Sequence, residues 1–358
     1  MKQLNVVVTV NWEGRSLAGV EAIRQLRDHF PRIPVTHFVS AAYFARGGDY
    51  MRIVEEMMPA FAAHDEIALL LNSWESIHGC RAGAGERSHT VINGDDPALV
   101  IEYPGIEPQY DGGYTRALSG IPRSHIDALI RNSRLLLSPL LKQLVQRPGI
   151  SVDALLRGAR AGHSMAADAV LEALAAAGFD YDASAFDASW AWRRRDVDSD
   201  SPFGPWPGLL ADLWGPEPHD ERHLANSLCQ AATAGTGVDW RSQPFLILAD
   251  DRGELLEMPL NGGLVPPVSP AHLNKIANAL AKLPSMAGIY LCFGFHQDTA
   301  DTDLLRVIEE SLAHMEQEFV VNWSTLAATA DILLNRNGAR SRMPLRPYPL
   351  RPPIRLHN

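Results

Sequence analysis

The run Val6-Val7-Val8-Thr9-Val10, ending abruptly in Asn11-Trp12-Glu13-Gly14, narrows the choice of fold more than any other stretch. A run rich in β-branched residues with no apolar–polar alternation describes a strand buried on both faces. That is the habit of parallel sheets rather than antiparallel ones. Strand–helix folds place their chemistry at the carboxyl ends of such strands, so Asn11 and Glu13 are candidates for a site. The alternative is an ordinary first strand with a polar turn after it, and later segments bear on the choice.

Those segments alternate. Helical spacing over 16–30 is followed by an extended run at 35–39, a helix at 50–62 and a strand at 66–71. Helices are expected at 124–145 and 165–177, with Gly178 stopping the second before a short strand at 179–182. Further strands are expected at 255–260, 289–295 and 319–322, with helices at 272–283, 303–318 and 324–334. This spacing means βαβ units and a parallel sheet of about seven strand–helix steps, closed or nearly closed into a barrel. No glycine-rich phosphate loop follows the first strand, which disfavours an open nucleotide-binding sheet. Residues near 78–123, rich in Gly, Asp and Pro, and residues 187–245, with Trp190, Trp192, Trp206, Trp214 and Trp240, read as inserts in a single domain over 1–335.

Apolar residues make up 46% of the chain, enough for a full core without metals or disulfides. Cys80, Cys229 and Cys292 are scattered and odd in number, which suits buried filler better than a pairing pattern. No apolar run reaches membrane-helix length, and Met1-Lys2-Gln3-Leu4-Asn5 leads straight into the first strand, so a cytoplasmic protein without membrane attachment is expected. The formal net charge of −10 argues against nucleic acid as a partner. Residues 336–358 hold prolines and arginines and no acid, which forbids regular structure. They read either as a loosely docked arm or as one that wraps an acidic second copy of the chain.

Five stretches in order then resemble the polysaccharide deacetylase family, whose NodB-homology domain is a distorted (β/α)7-type barrel. Thr9–Glu13 is similar to its first strand, which ends in an acidic pair. Glu66–Trp74 is similar to its E-I-G-L-H-x-H segment, and Arg160-Ala161-Gly162-His163 to its R-A-G motif. Glu257-Met258-Pro259-Leu260 is similar to its E-I-P strand, and Phe293-Gly294-Phe295-His296 to the closing strand that ends in histidine. The resemblance implies removal of an N- or O-acyl group from a sugar. It also implies a divalent metal on one carboxylate and two histidines, an aspartate base oriented by an arginine, and a histidine acid.

This sequence departs from that pattern. Asn11 stands at the base position, and an amide accepts no proton near neutral pH. Glu13 is the available carboxylate. The histidine positions fall on Leu70 and on either Asn72 or Trp74, so no metal cofactor such as zinc is expected. His296, Glu13, Arg160 and Asn11 are the catalytic candidates. His163, Trp74, Asn72, Trp12 and Glu257 are the candidates for holding a carbohydrate or acylated sugar. Three functions stay open: a hydrolase with a degenerate, metal-free site, a non-catalytic sugar-binding subunit, and a metal deacetylase with ligands relocated to His64, His78, His89 or His125.

Overall fold

The computed structural model describes residues 3–14, 16–45, 49–74, 100–102, 114–116, 118, 122–146, 155–162, 166, 168–185, 244–250, 253–265, 270–281 and 289–334. The strands in chain order are β1 (Gln3–Trp12), β2 (Val35–Ser40), β3 (Glu66–Leu71), β4 (Ser73–Trp74), β5 (Val100–Glu102), β6 (Tyr114–Arg116), β7 (Leu155–Ala161), β8 (Tyr181–Asp182), β9 (Phe245–Asp250), β10 (Gly253–Glu257), β11 (Gly263–Val265), β12 (Ile289–His296) and β13 (Val320–Trp323). The main sheet runs β11-β12-β1-β2-β3-β7-β8-β10-β9, with β13 on the first half of β1. Its pairings are parallel except that of β9 with β10. No pairing among the described residues joins β9 to β11. The described sheet is therefore a curled barrel wall.

Alternation along the strands sorts the side chains into two apolar layers. Val6, Val8, Val10 and Trp12 face outward, into the cluster shared with the surrounding helices. Val7 faces inward and packs with Phe38, Ala68, Leu70, Tyr181, Leu256, Tyr290 and Cys292. The inner layer also takes in Leu326, Ala327, Ala330 and Leu333, so the helix Leu326–Leu333 plugs one end of the barrel. Its first turn is held by groups at the starts of β2 and β3: Thr36 Oγ1 accepts from Leu326 N at 3.1 Å, and Glu66 Oε2 from Ala327 N at 2.9 Å. A carboxylate that takes up the orphan N–H groups of a helix start is a strong cap. The carboxyl ends of the parallel strands are left as the mouth.

The expected strands at 6–10, 35–39, 67–71, 255–260, 289–295 and 319–322 all lie in this sheet. The strand expected at 255–260 ends at Glu257, because Pro259 has no N–H for a ladder. The helices include Arg123–Val145, Asp168–Ala176 and Thr302–Glu318. Gly178, with φ +76°, follows the second in the left-handed conformation that stops a helix.

Periodicity did not reveal β7, whose Arg157, Gly158 and Ala159 make a poor strand pattern. Gly158 is there for space, since a Cβ would lie 1.8 Å from the Tyr181 ring. The insert near 78–123 carries two strands of a small antiparallel sheet, β4-β6-β5, that the sequence does not announce. Most of the other insert, and the whole arm 336–358 on which self-association was expected to rest, lie outside the described residues. Among the described residues no helix is long and apolar enough to cross a membrane.

Candidate functional site at the barrel mouth

Inward-facing positions on β1 read Val7, Thr9, Asn11, and Glu13 follows just past the strand end. β1 and β12 run in parallel register with Asn11 opposite His296. Gly294 permits this close approach, since a Cβ there would meet Thr9 Oγ1 at 2.2 Å. His296 Nδ1 lies 3.1 Å from Glu13 Oε1, with Glu13 only 5% exposed. From β3, which also points Leu70 inward, Asn72 Nδ2 donates to Glu13 Oε2 at 2.9 Å. Gly162, just after β7, leaves room for that amide: a Cβ there would lie 2.0 Å from Asn72 Oδ1.

Arg160 forms the floor. It is 2% exposed and threads between strands. Its Nη1 donates to Asn11 Oδ1 at 2.7 Å and to Thr9 Oγ1 at 3.3 Å, and its Nε to Ala183 O at 2.8 Å. The guanidinium carbon sits 4.1 Å from the centre of the Phe38 ring, a cation–π contact in a desolvated setting. Burial pulls the Arg160 pKa down, and the surrounding Cys292, Tyr290 and Asp182 oppose that shift. Because Arg160 takes Asn11 Oδ1, the amide orientation is fixed and Nδ2 is left as a donor.

Glu13, Asn11, Arg160, His296 and Asn72 therefore come together. Trp12 does not, which corrects its expected place among the ligand-binding residues. With Asn11 and Glu13 facing in, period-two alternation sends Trp12 out. It is fully buried, donates from Nε1 to His37 Nδ1 at 3.1 Å and packs on Phe61. Glu257 is likewise corrected. It is fully buried opposite Asp182, its register partner, and accepts from Ala185 N at 2.9 Å.

Burial and the neighbouring Asp182 push the Glu257 pKa well up, and burial raises that of Asp182, which accepts from Ser184 N and Oγ. Two carboxyls so placed cannot both ionise readily, so each holds its proton more tightly than usual. His163 and the Trp74 side chain lie outside the described residues. Thr9 and Phe38, which hold Arg160, were not singled out in the sequence. The alternation that places Asn11 was enough to find Thr9.

No protein-family model matches the chain, and no curated protein does. Solved structures do. A protein described as a polysaccharide deacetylase from Mycobacterium smegmatis superposes with a TM-score of 0.53 at 13% identity, over 98% of this chain and 95% of that one. The two share one fold. PuuE allantoinase is also similar, with a TM-score of 0.47 at 13% identity over 95% of this chain and 92% of that one.

The metal that the deacetylase resemblance implies can be tested against the residues present. Among the described residues no group of three His, Cys, Asp or Glu is gathered anywhere. Leu70, 1% exposed, fills its place in the inner layer with a side chain that offers no lone pair. Asn72 turns its N–H toward Glu13, where a ligand would turn a lone pair toward a cation. His64 and His125 are exposed, while His78 and His89 lie outside the described residues. The described donors do not fit a one-carboxylate, two-histidine site.

Proposed function

We propose that the mouth is a metal-independent acid–base site acting on an N- or O-acylated sugar, as a degenerate relative of the deacetylases. The observation that carries this reading is the contact of His296 Nδ1 with Glu13 Oε1 beside an Asn11 amide oriented by Arg160. Glu13 Oε1 stands within ion-pair distance of His296 Nδ1, though not in hydrogen-bond geometry, so it favours a charged ring, and Nε2 is the nitrogen that transfers the proton. Water attacks the acyl carbonyl as Nε2 takes its proton. The bond from the acyl carbon to the sugar oxygen or nitrogen then breaks as Nε2 returns that proton to the leaving atom. Glu13 stabilises the transient imidazolium, and Asn11 Nδ2 donates to the developing oxyanion.

The test is hydrolysis of chromogenic acyl esters and of N-acetylated sugar oligomers by the full chain, with and without EDTA, alongside His296→Ala. Turnover that EDTA leaves unchanged and His296→Ala lowers by roughly 100-fold or more supports the reading. Turnover that needs added metal overturns it. Sugar binding without turnover would make the site a recognition module, a reading favoured by the neutral amide of Asn11 at the base position.

A further inference from the structure

Asn72 is 1% exposed, and its side chain has one described task. Nδ2 donates to Glu13 Oε2 at 2.9 Å, with the Glu13 carbonyl oxygen also 3.5 Å away. The opposite orientation of the amide would set Oδ1 against the carboxylate, so the hydrogen bond fixes which atom faces Glu13. Oδ1 is buried and has no hydrogen-bond partner among the described residues, wedged where only a glycine at 162 leaves space. An orphaned buried carbonyl costs roughly 1–3 kcal/mol, and here that cost accompanies a donor aimed at a carboxylate.

The other oxygen of the same carboxylate meets His296 Nδ1. Glu13 thus has the Asn72 amide on one oxygen and the His296 ring nitrogen within ion-pair distance of the other, and the seat a cation would take on its Oε2 side holds an amide hydrogen.

We propose that Asn72 is a positioning residue that occupies this cation seat, closing the mouth to divalent metal and presenting Glu13 Oε1 to His296. The inference rests on the metal-independent reading above, and names the residue that makes the site so. An amide nitrogen has no lone pair to give a metal, and its hydrogen repels one. Replacing Asn72 by aspartate keeps the shape and exchanges that donor for a charged oxygen. Glu13, residue 72 and His296 then form a set of two carboxylates and an imidazole on one side of the mouth.

The experiment is titration of the full chain with Co²⁺, followed by visible absorption and calorimetry, which read metal binding without any substrate. Wild type should bind no Co²⁺ that depends on Glu13. Asn72→Asp should gain affinity by roughly 100-fold, equivalent to about 2.8 kcal/mol, with new d–d bands. Adding Glu13→Gln to that variant should abolish the gain.

If Asn72→Asp does not fold cooperatively, Asn72→His, which supplies a ring nitrogen in the space beside Gly162, carries the same test. Wild-type Co²⁺ binding that Glu13→Gln removes would overturn both this inference and the metal-independent reading. Failure of the folded variants to gain Co²⁺, with wild type still metal-free and its turnover insensitive to EDTA, would overturn the role of Asn72 alone.

Discussion

Glu13 and Trp12 are adjacent in sequence, yet one belongs to the mouth and the other to the outer core. Trp12→Phe should therefore lower stability by about 1 kcal/mol through loss of the bond to His37, and leave binding of the proposed sugar ligand unchanged. Denaturant titration and calorimetric binding read the two effects separately. At Gly162 the expectation is opposite. Alanine there drives a methyl into Asn72 Oδ1, so Asn72 must withdraw from Glu13. A loss of about 1–3 kcal/mol in denaturant, together with weaker ligand binding, is the expected result. Of the ligand-contact candidates drawn from the sequence, Trp12 and Glu257 are placed away from the carboxylate of Glu13, whereas Asn72, equally buried, bonds to it. Residue type suggests a chemistry, but strand parity decides which side of the sheet receives it.

β1 shows how much an element's sequence can reveal. Its uninterrupted apolar run signals burial on both faces, its abrupt polar end marks the mouth, and the partnership with β12 follows from the motif at Phe293–His296. β7 shows the limit. Its backbone is extended because β3 and β8 pair with it on either side, and its small residues make room for neighbours. Neither cause is visible in a local window, so Arg160 was legible only through a motif.

The plug helix Leu326–Leu333 depends on a carboxylate far away in sequence. Glu66 accepts from Tyr181, Thr36 and Ala327 N, and burial raises its pKa against those hydrogen bonds. Glu66→Ala should cost about 3 kcal/mol and speed amide exchange over 325–333, measured by mass spectrometry. Exchange unchanged in that helix would show that its packing alone holds it.

For the whole molecule, pH tests two buried clusters with opposite signs. Burial holds the His37 pKa below its usual 6.5, against the pull of Asp65. As pH falls through 6.5 the unfolded chain takes up a proton that the native state refuses, so stability drops. Glu257 behaves inversely. Its native pKa is raised, so above 4.5 the unfolded chain ionises while the native carboxyl keeps its proton, and stability declines with rising pH. Glu257→Gln removes the second effect, and its stability relative to wild type should climb with pH above 4.5 in urea titrations. Truncation gives a further check on the architecture. Removing residues after 335 keeps the plug and should leave the melting temperature within about 2 °C. Ending the chain before Thr325 removes the plug, and the melting temperature should fall by many degrees.

The pairing of Asn11 with His296 has a consequence for biosynthesis. Thr9 bonds to Phe293 across a separation of 284 residues. At roughly 5–20 residues per second, β1 leaves the ribosome about 15–60 s before its β12 neighbour exists. Through that interval an apolar β-branched segment, destined for the middle of a sheet, has one long edge without a mate. Until β12 has emerged that edge is open to a chaperone, and the mouth, which needs both strands, cannot form.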